Sequence, residues 1–278
     1  IQEVERLVNV AIQAKADIIY WFGEADVKTQ LPLVMSELDA DGELGANAIE
    51  AAGKIGDRKT AEVLVSMLGG ENTPAVVSAL KHIRTDISDL VAAAFEGADS
   101  KKTSGLLTLA SAKSNKKASA SVIALAKSGD KQALASLANV VNPSEFVEMA
   151  QMLDAAEGET EQLGNALKST LKGISDKDKF SKIVAFAEDA QNPENFYQII
   201  ARTDESVNYL AEKHKAGSAK ALDALTKSKN RKAAPIILDA AGDNPEYLKR
   251  YVNLVTAGGF DENRACEYLC RALDKTAD

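Results

Sequence analysis

Residues 48–68, AIEAAGKIGDRKTAEVLVSML, place an alanine-rich apolar stretch on each side of a short polar break. Before the break, one helical face carries Leu44, Ala48, Ala52 and Ile55. After it, the same helical spacing recurs at Ala61, Leu64, Val65 and Leu68. Within the break, Gly56 is suited to end the first helix in the left-handed conformation, and Asp57 to cap the second. The stretch therefore predicts a helical hairpin.

The same kind of break recurs along the whole chain at intervals of 26 to 34 residues. Its Asp or Asn residues are Asp26, Asp57, Asp86, Asn115, Asn142, Asp176, Asp204, Asn230 and Asp261. A second set lies between them, at Asp41-Gly42, Gly69-Gly70, Gly97, Gly129, Gly158, Asn192-Pro193, Gly217 and Asn244-Pro245. A period near 30 residues with two amphipathic halves is typical of stacked helical repeats.

The predicted fold is all-α: an α-solenoid of about nine stacked antiparallel hairpins, with a leading partial helix near residues 2–13 and no β-sheet. Pro32 and Pro235 fall early in second helices, where the missing N–H leaves no hydrogen bond unmade. Residues 1–278 are predicted to form a single helical repeat domain. The chain begins at Ile1 and its first methionine is Met35, which favours a piece of a longer protein.

Residues 44–68 resemble the helix–Gly-Asp–helix unit of the HEAT-like repeat family, in its short bacterial form. The resemblance extends to residues 17–38, DIIYWFGEADVKTQLPLVMSEL, and is looser after residue 100, where the turn becomes Ser-Asn, Asn-Pro-Ser or Lys-Asn. It implies that the second helix of each pair lines a concave side. The polar residues implied to face a partner are Lys59, Glu62, Ser66, Ser88, Asp89, Lys116, Lys117, Glu145, Glu148, Lys179 and Lys182.

Composition limits the class of partner. The chain has a net charge of −8 and a pI near 5.1, and the charges of the implied face alternate in sign. A phosphate backbone or an anionic membrane surface favours one positive sign over many residues, so we expect neither as a partner. The longest uncharged apolar runs are too short to span a membrane, so we do not expect membrane insertion. Hydrophobic residues make up 45% of the chain, which is enough for a packed core.

The cluster Tyr20-Trp21-Phe22 contains the only tryptophan. In the first interpretation it is a large plug in a core otherwise made of alanine and leucine. In the alternative, Tyr20 and Trp21 form an exposed aromatic platform for a sugar or a peptide.

No set of residues predicts catalysis, a cofactor or a metal site. Cys266 and Cys270 share a helical face but lack two further ligands nearby, and His82 and His214 lie in other hairpins. Residues 39–43, DADGE, would need Glu50 as the twelfth ligand of a calcium loop, inside a predicted helix. Two basic turns, at residues 113–117 and 227–232, are interpreted as solvated turns, with a phosphate-rich ligand as the alternative.

The sequence therefore predicts a non-catalytic scaffold that presents an extended surface to another protein or to a neighbouring domain. The alternative is an accessory module of a larger extracytoplasmic carbohydrate-active protein, from a resemblance to helical segments that precede sugar-active domains in bacteria. This alternative favours a bacterial extracytoplasmic location over the cytoplasm. An enzyme of unknown type is the third hypothesis.

Overall fold

The computed structural model describes residues 2–158, 160–200, 204–228, 230–241 and 244–256, together with Cys270 and Leu273. In these residues all regular structure is helical, with 17 α-helices and five short 3₁₀ turns. Neighbouring helices contact one another in the manner of a helical solenoid, so the all-α prediction is confirmed. The predicted break at Asp261 and the thiol of Cys266 lie outside the described residues.

The chain divides into two compact units, and the first covers Ile1–Asn142. Its helices are α1 (Gln2–Glu24), α2 (Leu31–Ser36), α3 (Gly42–Ile55), α4 (Arg58–Ser66), α5 (Thr73–His82), α6 (Ser88–Ala93), α7 (Ser100–Ala112), α8 (Ser119–Lys127) and α9 (Lys131–Val140). The 3₁₀ turns Lys28–Gln30 and Lys116–Ala118 lead into α2 and α8. The predicted partial helix near residues 2–13 is wrong in extent, because α1 continues without a break to Glu24.

The second unit covers Pro143–Asp278. Its helices are α10 (Phe146–Asp154), α11 (Thr160–Thr170), α12 (Asp176–Glu188), α13 (Tyr197–Ile200), α14 (Asp204–Lys215), α15 (Ala219–Lys227), α16 (Ala234–Ala241) and α17 (Pro245–Thr256). Three 3₁₀ turns, at Pro143–Glu145, Pro193–Phe196 and Arg231–Ala233, lead into α10, α13 and α16. Pro32 and Pro235 each occupy the second position of their helix, as predicted.

In the first unit, the odd-numbered helices form one continuous stack from α1 to α9. Small residues bring these helices close together. A Cβ atom added to Gly23 would lie 2.8 Å from the Cα of Ala51, and one added to Gly53 would lie 2.6 Å from the Cα of Ala79. Real Cβ atoms essentially never approach another heavy atom so closely, so these two positions need glycine.

The break between α3 and α4 confirms one prediction and corrects another. Asp57 caps α4: its carboxylate accepts a hydrogen bond from the Thr60 amide at 3.0 Å, and the Thr60 hydroxyl accepts one from the Asp57 amide. Gly56, however, has φ −74° and ψ 158°, so the predicted left-handed conformation is wrong. It is suited to its position by contact instead, because a Cβ there would lie 2.2 Å from the Ala52 carbonyl oxygen.

The closest pairing of consecutive helices occurs across the glycine breaks rather than the Asp/Asn breaks. Helix α8 packs along α9 across Gly129, and α14 along α15 across Gly217. Both glycines have positive φ, of 89° and 104°, which permits a tight reversal that other residues make only with strain. The helices on either side of an Asp or Asn break, by contrast, contact each other less extensively than the helices on either side of a glycine break.

Candidate functional site

Eight of the eleven residues that the resemblance implies as a partner surface divide between the two units as follows. Lys59, Glu62 and Ser66 are exposed on α4, Asp89 is exposed on α6, and Lys116 and Lys117 are exposed in the turn before α8. Glu145 and Glu148 are half-buried around the start of α10, in the second unit. The first six therefore belong to one compact unit.

Asp89 joins neighbouring repeats. The two terminal nitrogens of the Arg58 guanidinium donate to its two carboxylate oxygens at 3.1 and 2.6 Å, which links α4 to α6. This hydrogen bonding lowers the pKa of Asp89 to about 2. The pair is about half exposed, so its contribution to stability is modest, but its geometry fixes the direction of both side chains.

The turn at Asn115, like the Arg58–Asp89 pair, links neighbouring repeats; we call it the Asn115 clamp. The Lys116 ammonium donates to the carbonyl oxygens of Asn139 and Val141 at 2.9 and 2.8 Å. Asn115 is buried, and its amide donates to the Ser88 carbonyl at 2.8 Å. Asn115 therefore binds the backbone of the preceding repeat, and Lys116 binds the backbone of the following repeat. The capping positions therefore hold the stack together as well as beginning the helices.

Lys59 lies beside an open groove between α2 and α4. The groove has a volume of about 470 Å³, and its apolar lining comes from Leu31, Pro32, Met35 and Val63. Val63 is 41% exposed. Lys28 and Lys59 supply positive charge, and the Lys59 side chain forms no hydrogen bond or ion pair within the described part of the chain. The groove can receive an apolar side chain accompanied by a carboxylate.

The carboxylate that lines this groove, Asp57, caps the N-terminus of α4. Its hydrogen bonds from the Thr60 amide and hydroxyl lower the pKa of the carboxyl group. It therefore stays ionised at neutral pH and is poorly suited to give or take a proton there.

The aromatic cluster near the end of α1 is not the predicted core plug. Trp21 is 64% exposed and Tyr20 is 36% exposed, while Phe22 is half-buried. The rings of Tyr20 and Trp21 meet edge to face with centroids 5.7 Å apart. The buried residues of α1 are Ala16, Ile19 and Gly23, so the interpretation of Trp21 as a core residue is wrong. The alternative, binding at this platform, stays a prediction.

Most of α1 carries apolar side chains exposed to solvent. Every residue from Gln2 to Ala14 is exposed. We use the term α1 stripe for Val4, Leu7, Ala11, Ala14, Ile18 and Trp21, which recur at alternating intervals of three and four residues. This spacing is present in the sequence, but it becomes visible only when residues 2–13 and the residues that follow them are read as one helix.

The remaining candidates have local structural partners or lie apart. Cys270 is exposed, and no group of three or more metal-binding side chains forms among the described residues. The His82 ring contacts the Ser78 carbonyl at 2.9 Å. In the basic turns, Lys113 donates to the Ile83 carbonyl, and burial lowers the pKa of its ammonium group. Lys232 pairs with Asp204 at 2.5 Å.

The second unit holds an aromatic cluster that the sequence analysis did not identify. Phe186 packs against Phe146 and Phe196, with centroids 6.5 and 5.6 Å apart. Tyr209 donates a hydrogen bond to the Glu188 carboxylate at 2.6 Å, and burial raises the pKa of its phenol. These aromatic residues come from separate repeats, so only the stacking of helices brings them together.

A second open groove lies in the same unit. It has a volume of about 410 Å³ and is lined partly by Lys168, Lys172 and Lys179. Lys179 pairs with Asp176 at 2.9 Å, which offsets some of the positive charge. The predicted concave-face residue Lys179 therefore already has an acidic partner.

None of the described helices is both long and apolar enough to cross a membrane. No family model matches this chain, and no curated protein or solved structure matches it either. The resemblance to HEAT-like repeats stays a prediction.

Proposed function

We propose that the chain is a non-catalytic helical-repeat scaffold that holds a partner protein, or a neighbouring domain, against the α2–α4 groove. The observation that carries this proposal is the open apolar groove beside the exposed α4 residues Lys59, Glu62 and Ser66. Stacked repeats offer extended surfaces of this kind because each repeat buries its apolar side only against its neighbours.

The groove sets the chemistry of the partner segment. An apolar side chain from the partner would cover Val63 and Met35, and a nearby carboxylate would approach Lys59. Burying an exposed apolar side chain in such a groove supplies affinity, whereas the charge at the rim mainly supplies orientation and association rate. Glu62 and Lys59 differ in sign one turn apart, which favours a protein partner over a phosphate backbone.

The groove is proposed as a binding surface rather than a catalytic site, because the carboxylate that lines it, Asp57, caps α4. Its pKa is lowered by the hydrogen bonds of the α4 cap, so it is poorly suited as a general acid or base at neutral pH. A saturable turnover of a small substrate by the isolated chain would contradict this part of the proposal.

Site-specific photo-crosslinking tests the groove. A benzophenone side chain at Val63 is expected to capture one partner from the native host, identified by mass spectrometry. The substitution Lys59→Glu in the same chain is expected to abolish that adduct. The matched control carries the crosslinker at Val147, which is 53% exposed in the second unit. Capture of the same set of proteins from both positions, unchanged by Lys59→Glu, would refute the groove as the site.

The exposure of Trp21 favours a second candidate, carbohydrate binding by an accessory module of an extracytoplasmic protein. Aromatic faces of this kind also stack on sugar rings. Since the chain has a single tryptophan, its fluorescence reports directly on this position. A saturable fluorescence change on adding soluble oligosaccharides, together with binding by calorimetry that is lost in Trp21→Ala, would support the candidate, and an unchanged spectrum would eliminate it for the sugars tested.

A further inference from the structure

The α1 stripe has the spacing of a coiled-coil seam. Its six residues follow the 3–4–3–4–3 pattern of the two core positions of a heptad repeat. Val4, Ala11 and Ile18 occupy one core position, and Leu7, Ala14 and Trp21 occupy the other. Over 18 residues the seam is about 26 Å long.

The seam points away from the rest of the first unit. Helix α1 rests on α3 through Ala16, Ile19 and Gly23, which lie on the helical face roughly opposite the stripe. All six stripe residues are exposed, with Val4 at 63% and Trp21 at 64%. A second helix can therefore reach the seam without displacing α3.

A continuous exposed apolar seam of this length is typical of an interaction surface. Single exposed apolar residues are normal on a protein surface, but contiguous ones mark interaction sites. An unsupported helix as short as residues 2–14 is marginal in water, because most helical stability in proteins comes from packing an apolar face. Val8 and Val10, beside the seam, extend the apolar surface.

We propose that the α1 stripe binds the α1 stripe of a second copy of this chain, in a parallel two-stranded coiled coil. Val4 and Ile18 at the first core position and Leu7 at the second are residue types that favour two parallel strands. The alanines at the centre let the two helices approach closely. This dimer is independent of the α2–α4 groove.

The charges beside the seam favour the parallel direction. In a parallel dimer the flanking pairs are Glu3 with Val8, Val10 with Lys15, and Asp17 with Phe22, so no like charges face each other. The antiparallel dimer that aligns the whole stripe would instead place Glu3 opposite Glu24, two acidic residues whose cationic partners, Arg6 and Lys54, lie within their own chain. Like charges at these positions oppose pairing.

Mass measurement by light scattering and sedimentation tests the dimer. The intact chain is expected at about twice 29.5 kDa, shifting toward the monomer on dilution. Leu7→Glu is expected to leave a monomer at all concentrations. The control Val147→Glu, which also introduces glutamate at an apolar residue exposed to a similar extent, is expected to remain dimeric. A mass of 29.5 kDa for the intact chain up to about 100 µM would overturn the proposal.

Disulfide trapping tests the direction in a chain with Cys266→Ser and Cys270→Ser. In the parallel dimer Leu7 faces Leu7 of the second copy, so Leu7→Cys is expected to cross-link to itself on oxidation. In the antiparallel dimer these positions are about 17 Å apart, beyond the reach of a disulfide. Cross-linking only in a mixture of the Leu7→Cys and Ile18→Cys chains would overturn the parallel arrangement.

Tryptophan fluorescence gives a third readout that separates the dimer from carbohydrate binding. Dimerisation buries Trp21, so the emission of the intact chain is expected to shift to shorter wavelength as protein concentration rises. Leu7→Glu is expected to remove that shift. Because Leu7 lies far along α1 from Trp21, this variant leaves the aromatic ring itself in place. An emission spectrum independent of concentration across the monomer–dimer transition would overturn the assignment of Trp21 to the seam.

Discussion

The substitution Gly53→Ala tests the close packing of α3 on α5. In an exposed helix interior this change would stabilise by about 1 kcal/mol, because alanine has the higher helix propensity. Here the new Cβ would lie 2.6 Å from both the Cα and the carbonyl oxygen of Ala79. Ordinary contact begins near 3.4 Å, so the two helix backbones must separate. Overpacking of this kind costs about 1–3 kcal/mol, so after the gain in helix propensity we expect a net destabilisation of up to about 2 kcal/mol.

Gly105→Ala is the matched control within the same helical stack. Its Cβ would approach only side-chain methyl groups, those of Thr73, Leu68 and Val77, at 3.1 to 3.5 Å. Such groups move more readily than backbone, so we expect a stability within about 1 kcal/mol of the parent chain. The two variants differ in the atoms that the new methyl group meets, while the residue change is the same.

Urea denaturation followed by circular dichroism measures the stability of both variants. Because repeat arrays can unfold in several steps, amide hydrogen exchange provides the local reading. Gly53→Ala is expected to lower protection in α3 and α5 before other helices. If Gly53→Ala instead raised the urea midpoint, as in an isolated helix, the inferred contact with Ala79 would be wrong.

Three further predictions concern the corners of the repeats. Asp57→Ala removes the carboxylate cap of α4 and is expected to lower stability by about 1 kcal/mol, measured as a shift in urea midpoint, with Asp57→Asn losing less. Asn115→Ala leaves the Ser88 carbonyl without its buried donor and is expected to cost about 1–3 kcal/mol by the same assay; an unchanged midpoint would contradict the clamp. Asp89→Asn removes a carboxylate whose pKa Arg58 lowers to about 2, so its stabilising effect is present above the ordinary pKa and is lost as pH falls toward 2. Melting curves of the parent chain and Asp89→Asn should therefore differ at pH 7 and converge near pH 2; a difference that grew in acid would have the wrong sign.

The helical repeats could be predicted from the sequence because their signals are local. The apolar spacing before and after Asp57 and the cap that its carboxylate makes depend on a few consecutive residues. The exposure of Trp21 could not be predicted in the same way. Tyr20, Trp21 and Phe22 all lie within one turn of α1, and which of them faces α3 depends on where that helix packs.

Glycine positions show the same limit. A glycine before Asp57 resembles a left-handed helix end, and the observed reason for Gly56 is instead its contact with the Ala52 carbonyl. Likewise, Gly53 lies inside a helix, where propensity alone disfavours it. Only the position of Ala79 on the next helix of the stack explains it, and the sequence gives no local sign of that contact.

The polar residues predicted to face a partner fall into two groups, those that hydrogen-bond to a neighbouring repeat and those that do not. Asp89 and Lys116 hydrogen-bond to neighbouring repeats, so changing them should alter the stack itself. Lys59 lies at the groove, and its side chain forms no hydrogen bond or ion pair within the described residues, so changing that side chain should alter binding alone. Lys59→Glu should therefore leave the melting temperature unchanged while partner capture at Val63 is lost, whereas Asp89→Lys should lower the melting temperature whether or not a partner is present. A measurement of stability and capture on the same two variants thus distinguishes a residue that builds the scaffold from one that the scaffold presents.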